Sequence, residues 1–131
     1  MSKGLYYFAH PYTVKDANGN YVHAGEEANF RLCCIRSGEL LMRGYNVYSP
    51  IAHTHPIHIH TPRFLANHEH TIWYGLDDEF IAKTDWAGII LAPGWEGSWG
   101  CRHELEQFAE RGLPSLVYSE LVKEEPTYGR A

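Results

Sequence analysis

The sequence predicts a single-domain three-layer α/β/α sandwich, with helices on both faces of a mostly parallel sheet of four or five strands. Three observations lead there. Two runs, Leu5–Ala9 and Trp86–Ala92, are continuously apolar, the mark of strands buried on both faces. Amphipathic stretches at helical spacing lie between the strand-like runs, and such alternation implies parallel strands joined by right-handed crossovers. The chain has 131 residues, 44% hydrophobic and 21% charged, which suits one core and argues against disorder.

In order along the chain, Leu5-Tyr6-Tyr7-Phe8-Ala9 reads as the first strand, ended by Pro11, which lacks a backbone donor. The polar stretch Val14 to Gly25, with the turn dipeptide Asn18-Gly19, reads as a loop or short hairpin over the strand end. From Glu26 to Arg43 the pattern is helical, with Ala28, Leu32, Ile35, Glu39 and Met42 along one stripe and Gly44 as C-cap. Tyr45 to Tyr48 reads as a second strand, stopped by Ser49-Pro50, and residues 51–72 as a long histidine-dense loop. Trp73 to Thr84 reads as a helix with Trp73, Leu76, Phe80 and Ile81 inward. After the strand Trp86–Ala92 come a glycine-rich turn, a helix to Arg111 ended by Gly112, and a strand at Ser115 to Tyr118. The tail from Lys123 reads as loosely held.

Composition narrows the function. Net charge is −5 and Lys and Arg total only 11, scattered along the chain, so no basic face for nucleic acid is expected. No apolar run could span a bilayer, and the N-terminus lacks a signal-peptide h-region, so the expected location is cytoplasmic and no membrane partner is expected. Three cysteines, two of them adjacent, form neither a disulfide framework nor a C-x-x-C pair.

Ligands of open α/β sheets bind beyond the carboxyl ends of the strands. The turn after the third strand, Pro93-Gly94-Trp95-Glu96-Gly97-Ser98, ends at a helix start, where unpaired N–H groups and the helix dipole favour an anion. An N-cap serine on an ordinary helix would look the same. On the following helix Cys101, Leu105 and Phe108 mark the buried stripe, and Glu104 falls at its margin, roughly 40° from Phe108. A carboxylate there either faces the crevice or pairs with Arg102 or Arg111. Asp77, Asp78 and Asp85 form a second acidic group, readable as a solvated face, with Asp78 able to project toward the same crevice. The loop histidines His53, His55, His58, His60, His68 and His70 invite a metal, yet their spacing matches no established zinc pattern. A loop carrying His53-Thr54-His55-Pro56 can equally contact a nucleobase, a sugar or a neighbouring subunit. No cofactor and no metal are expected, a metal-dependent hydrolase standing as an alternative.

The set Tyr6-Tyr7-Phe8-Ala9-His10-Pro11-Tyr12, Gly44 to Pro50, Asp78 with Asp85, and Gly97-Ser98-Trp99-Gly100 with Glu104 resembles the nucleoside 2-deoxyribosyltransferase-like superfamily. That group includes the 2′-deoxynucleoside 5′-phosphate N-hydrolases, and the likeness runs from Leu5 to Tyr118. The resemblance implies a flavodoxin- or Rossmann-like fold and cleavage or transfer at an N-glycosidic bond. Glu104 matches the nucleophile. Asp78 matches the carboxylate that assists departure of the base. Ser98, with Gly94, Gly97 and Gly100, matches the hold on a 5′-hydroxyl or 5′-phosphate. Tyr7 and His10 would line the sugar–base pocket; His55, from the reading of its own loop, is expected as a further substrate contact. The implied partner is a small nucleoside or nucleotide, in a homodimer or higher oligomer. The spacing of Ser98 and Gly100 follows the N-hydrolases better than the transferases. A non-catalytic nucleotide-sensing module on the same scaffold is the remaining alternative.

Overall fold

A computed structural model describes residues 4–61 and 70–128. Four strands, β1 (Leu5–Ala9), β2 (Asn46–Tyr48), β3 (Gly88–Leu91) and β4 (Ser115–Val117), form one open, all-parallel sheet in the order β2-β1-β3-β4. Helices α1 (His23–Met42), α2 (Pro50–His60), α3 (His70–Lys83), α4 (Trp99–Glu110) and the short α5 (Tyr118–Leu121) make the outer layers. The expected α/β/α sandwich is the fold. No described helix is long and apolar enough to cross a membrane.

The period-2 geometry of the strands divides the core. Tyr7, Ala9, Ile89 and Leu91 point to one face and pack with Ile81 of α3 and Cys101 and Phe108 of α4. Phe8, Ile90 and Ala92 point to the other and pack with Cys33 and Leu40 of α1, Ile51 of α2 and Leu121 of α5. The register pairs Tyr7 with Ile89 and Phe8 with Ile90, so each layer continues across the strands. Both central strands are covered on two sides, which is why their sequences are apolar without alternation. From β1 the chain runs to β2 on one flank and returns to β3 on the other, leaving a crevice beyond the carboxyl ends of β1 and β3.

Gly88 is where this sheet leaves no room. A Cβ there would lie 2.5 Å from the Pro114 carbonyl oxygen, which also accepts the Ile89 N–H at 3.0 Å. Gly88→Ala is therefore expected to destabilise the protein by about 1–3 kcal/mol, read as a lower midpoint in thermal or urea unfolding. An unchanged midpoint would contradict the packing described.

Three expectations are corrected. Residues 50–60 are helix α2, not loop: Pro50 occupies the first helical position, where its missing N–H costs nothing, so Ser49-Pro50 starts a helix as well as stopping a strand. His68 and the side chain of His70 lie outside the described residues. Helix α1 begins at His23 and turns Glu26, Cys33 and Leu40 inward, while Leu32 and Ile35 are exposed. Apolar residues lie on both sides of α1, and polar anchors select the inward one: Asn29 donates to the Tyr12 carbonyl, and Ser37 bonds both the Cys33 carbonyl and Ser49. The tail is tied down as far as Tyr128. Thr127 and Tyr128 N–H groups satisfy the Met42 carbonyl at the end of α1, and Arg43 donates to the Glu124 carbonyl. Finally, residues 14–22 do form a small hairpin, with Lys15 bridged to Tyr21 and Asp16 accepting from the Asn18 and Asn20 N–H groups.

Candidate active site

A cavity of about 740 Å³ opens at the crevice between β1 and β3. Its walls come from the β1–α1 loop, α2, α3, and the turn leading into α4. That volume suits a small organic ligand.

The turn is built as its residues dictate. Gly94 sits at φ +87°, a left-handed position that favours glycine, and Trp95–Gly97 form one 3-10 turn. Ser98 then caps α4, its hydroxyl accepting the Cys101 N–H at 3.2 Å. The remaining N–H groups of the first turn have no partner within the helix, and Gly97, Ser98 and Gly100 there form part of the cavity wall. Gly97 has open space where a side chain would stand, and Gly100 lies against the ring of Tyr74.

Glu104 is buried, 7% exposed, and lines the same cavity. It follows Cys101 by three residues and precedes Phe108 by four, so the inward stripe of α4 carries it into the core. Neither Arg102 nor Arg111 pairs with it. Arg102 donates to the Glu96 carbonyl, and Arg111 to the carbonyls of Ile81 and Thr84. The partner of Glu104 is the fully buried Tyr7, whose hydroxyl donates a hydrogen bond to a carboxylate oxygen. Burial pushes the Glu104 carboxyl well above the usual carboxylate range; the Tyr7 bond opposes this, and the charges of Asp77 and Asp78 add to it.

Two of the expected site residues are placed differently. Tyr7 does not line the cavity; it lies edge-on to Trp86 and tilted against Phe108, and meets the cavity wall through its bond to the Glu104 carboxylate. Asp78 also stays out of the cavity wall. Its carboxylate accepts from Gln107 at 3.0 Å and faces His103 at 3.3 Å, on the outer side of the α3–α4 contact. The second acid in the cavity is its neighbour Asp77, 8% exposed, whose Oδ1 is buried and has no hydrogen-bond partner among the described residues. Burial first, then the adjacent Asp78 charge, push Asp77 up to about 7. The sequence held a signal for it: Trp73, Asp77 and Ile81 follow at i, i+4 and i+8, one inward stripe of α3.

A family model described as "Domain of unknown function (DUF1937)" matches residues 4–120. The chain belongs to this family. No curated protein matches it. Within this family member, the remaining expected residues converge on one wall or another. His10 lines the cavity, buried, with Nδ1–H donating to the Pro11 carbonyl and Nε2 accepting from Arg36 at 2.9 Å. Nε2, which accepts from Arg36, carries no hydrogen, and burial lowers the pKa of the ring. His55 also lines the cavity, its two ring nitrogens held by Tyr12 and Glu27. Tyr12, Trp73 and Tyr74 line the cavity without having been expected there, and Asp77 and His58, singled out in the sequence only as part of an acidic group and of a metal-inviting histidine cluster, line it too. Among the described residues, no three His, Cys, Asp or Glu side chains gather as a metal site.

The Tyr7–Glu104 bond gives a direct test of the electrostatics. Tyr7→Phe keeps the ring packing and strips the donor that favours the charged carboxyl. The Glu104 carboxyl resonance is expected to titrate at still higher pH, with a stability loss of about 1–2 kcal/mol. A downward or absent shift of that titration would contradict the geometry.

Proposed function

We propose that the protein cleaves, or transfers across, the N-glycosidic bond of a nucleoside or nucleoside 5′-monophosphate. The observation that carries this is a pair of buried carboxyl groups, Glu104 and Asp77, in one ligand-sized cavity, of which Glu104 alone receives a buried O–H donor. Two such groups cannot both ionise cheaply, so the pair holds a proton near neutrality. The Tyr7 hydroxyl favours the anion on Glu104 against the effect of its burial, and the reactive form of the pair is the one with the shared proton on Asp77.

That division is what glycosidic cleavage needs. A Glu104 carboxylate oxygen attacks the anomeric carbon while the carbon–nitrogen bond breaks. The bond's electron pair leaves with the base, which takes the Asp77 proton. Water or an acceptor base then attacks the same carbon, frees Glu104 and returns a proton to Asp77. The resemblance to the nucleoside 2-deoxyribosyltransferase-like superfamily supports Glu104 as nucleophile, with Asp77 taking the role first given to Asp78. Ser98 and the N–H groups opening α4 suit the 5′ end of the sugar. Lys15, which is the one Lys or Arg among the described lining residues, adds positive charge for a 5′-phosphate. Leu32 and Ile35, exposed on α1, are consistent with the homo-oligomer that the resemblance implies, which sedimentation velocity would measure.

A panel of ribo- and deoxyribonucleosides and their 5′-monophosphates, with and without an acceptor base, tests the reading. Release of free base from at least one is expected. Ligand-induced rise in melting temperature with no base released from any member would replace it with the nucleotide-sensing alternative.

A further inference from the structure

One chain of polar contacts at the opposite wall of the cavity has no part in the chemistry above. The Glu27 carboxylate meets His55 Nε2 at 2.6 Å; His55 Nδ1 meets the Tyr12 hydroxyl at 2.8 Å; the same hydroxyl meets His58 Nδ1 at 3.3 Å. The series ends at His58 Nε2, which is buried and has no hydrogen-bond partner among the described residues. His58 itself is 6% exposed and lines the cavity.

The direction of each bond follows from its first member. A carboxylate only accepts, so His55 Nε2 carries a hydrogen and donates to Glu27. In a neutral ring His55 Nδ1 is then an acceptor and takes the Tyr12 hydrogen. The Tyr12 oxygen, having given its hydrogen away, accepts from His58 Nδ1–H. A neutral His58 therefore ends the series with a bare lone pair on Nε2. The rings are held in place while they do this: His55 stacks on Phe30 at 4.3 Å, and His58 lies against Trp73 at 5.4 Å. His23 Nδ1 lies 3.4 Å from the Glu26 carboxylate.

Position decides what meets that lone pair. Trp73 lies one helical turn before Asp77 on α3, about 6 Å along the helix. Both line the cavity with Glu104 and His58, so a ligand whose anomeric carbon is at Glu104 and whose base extends along α3 past Asp77 comes to Trp73 and His58. We propose that the Glu27–His55–Tyr12–His58 series is a polarised relay that fixes His58 Nε2 as an acceptor, selecting nucleobases that present an exocyclic amino group. This rests on the glycosidic reading of the cavity and names its substrate class: nucleosides whose base carries an exocyclic amino group, adenine and cytosine among them. A buried acceptor left without a donor is a costly mismatch, so the selection is expected to be tenfold or more.

Titration calorimetry near pH 8, above the ordinary imidazole range, compares 2′-deoxyadenosine with purine 2′-deoxyriboside, which lacks only the amino group. A Glu104→Gln background prevents turnover. Binding of the deaminated probe is expected to be about tenfold weaker or worse, and His58→Phe, which keeps the ring against Trp73, is expected to reduce the ratio to about twofold or less. Nitrogen NMR of the wild-type chain supplies a readout independent of ligand: His58 Nε2 is expected to be pyridine-like, and Tyr12→Phe to release it to the mixed tautomers of an unconstrained ring. Equal affinity for the two probes, or a protonated Nε2 in the wild type, would overturn the proposal while leaving Glu104-dependent base release untouched. Failure of both probes to bind would overturn it together with the reading it rests on.

Discussion

Glu104→Gln is expected to abolish base release, by about 10⁴-fold or more, while making the fold more stable at neutral and alkaline pH. The rate loss follows from losing the nucleophile: an amide oxygen accepts the Tyr7 hydrogen bond equally well but does not form the glycosyl intermediate. The stability gain follows from the sign of the pKa shift. Burial raises the Glu104 carboxyl in the folded state above its unfolded value. The native protein therefore binds more protons than the unfolded chain, and its stability falls as pH rises above the ordinary carboxylate range. Glutamine removes that penalty. Urea unfolding is expected to show the variant more stable by about 1–3 kcal/mol near pH 8, with the difference shrinking toward pH 4. A variant less stable than wild type across that range would mean that Glu104 is paired in a way the Tyr7 contact does not show.

The second large effect separates two adjacent acids. Asp77→Asn is expected to lower kcat by about 10²–10⁴-fold, whereas Asp78→Asn changes it by less than about threefold. Asp77 faces the cavity with its proton held to about 7, while Asp78 is spent on Gln107 and His103. The pH profile gives an independent signature. An acid works only while protonated, so kcat/KM is expected to fall as pH rises through about 7, and Asp77→Asn to erase that alkaline limb. The limb would persist in Asp77→Asn if another group supplied the proton. Equal losses in both variants would remove the distinction drawn from their burial.

Much of the architecture was legible because the central strands are apolar on both faces and the turns carry Gly and Pro at positions where backbone geometry requires them. The crevice rule then brought Ser98, Gly94, Gly97 and Glu104 together without coordinates. What escaped was decided by tertiary choices between equivalent local patterns. Pro50 both ends β2 and opens α2, and a single proline cannot say which; the histidine-rich stretch thus became half helix. Along α1, apolar residues on both sides offered two stripes, and side-chain bonds from Asn29 and Ser37 chose between them. Asp77 and Asp78 differ by one helical step of about 100°, enough to exchange cavity for surface. The stripe through Trp73 and Ile81 singles out Asp77, and following that stripe rather than the spacing to Asp85 would have named the acid that lines the cavity. The bonds of Tyr12 with His55 and His58, across more than 40 residues, have no local signature at all.

Peptide mapping after exposure to a slow-turnover 2-fluorinated arabinonucleoside addresses the nucleophile itself, because fluorine at the 2-position retards release of the sugar. One sugar mass on the peptide that contains Glu104, lost in Glu104→Gln, is the expected outcome. Free base accumulating with the label on Asp77, or on no residue of the chain, would contradict an attacking carboxylate at Glu104.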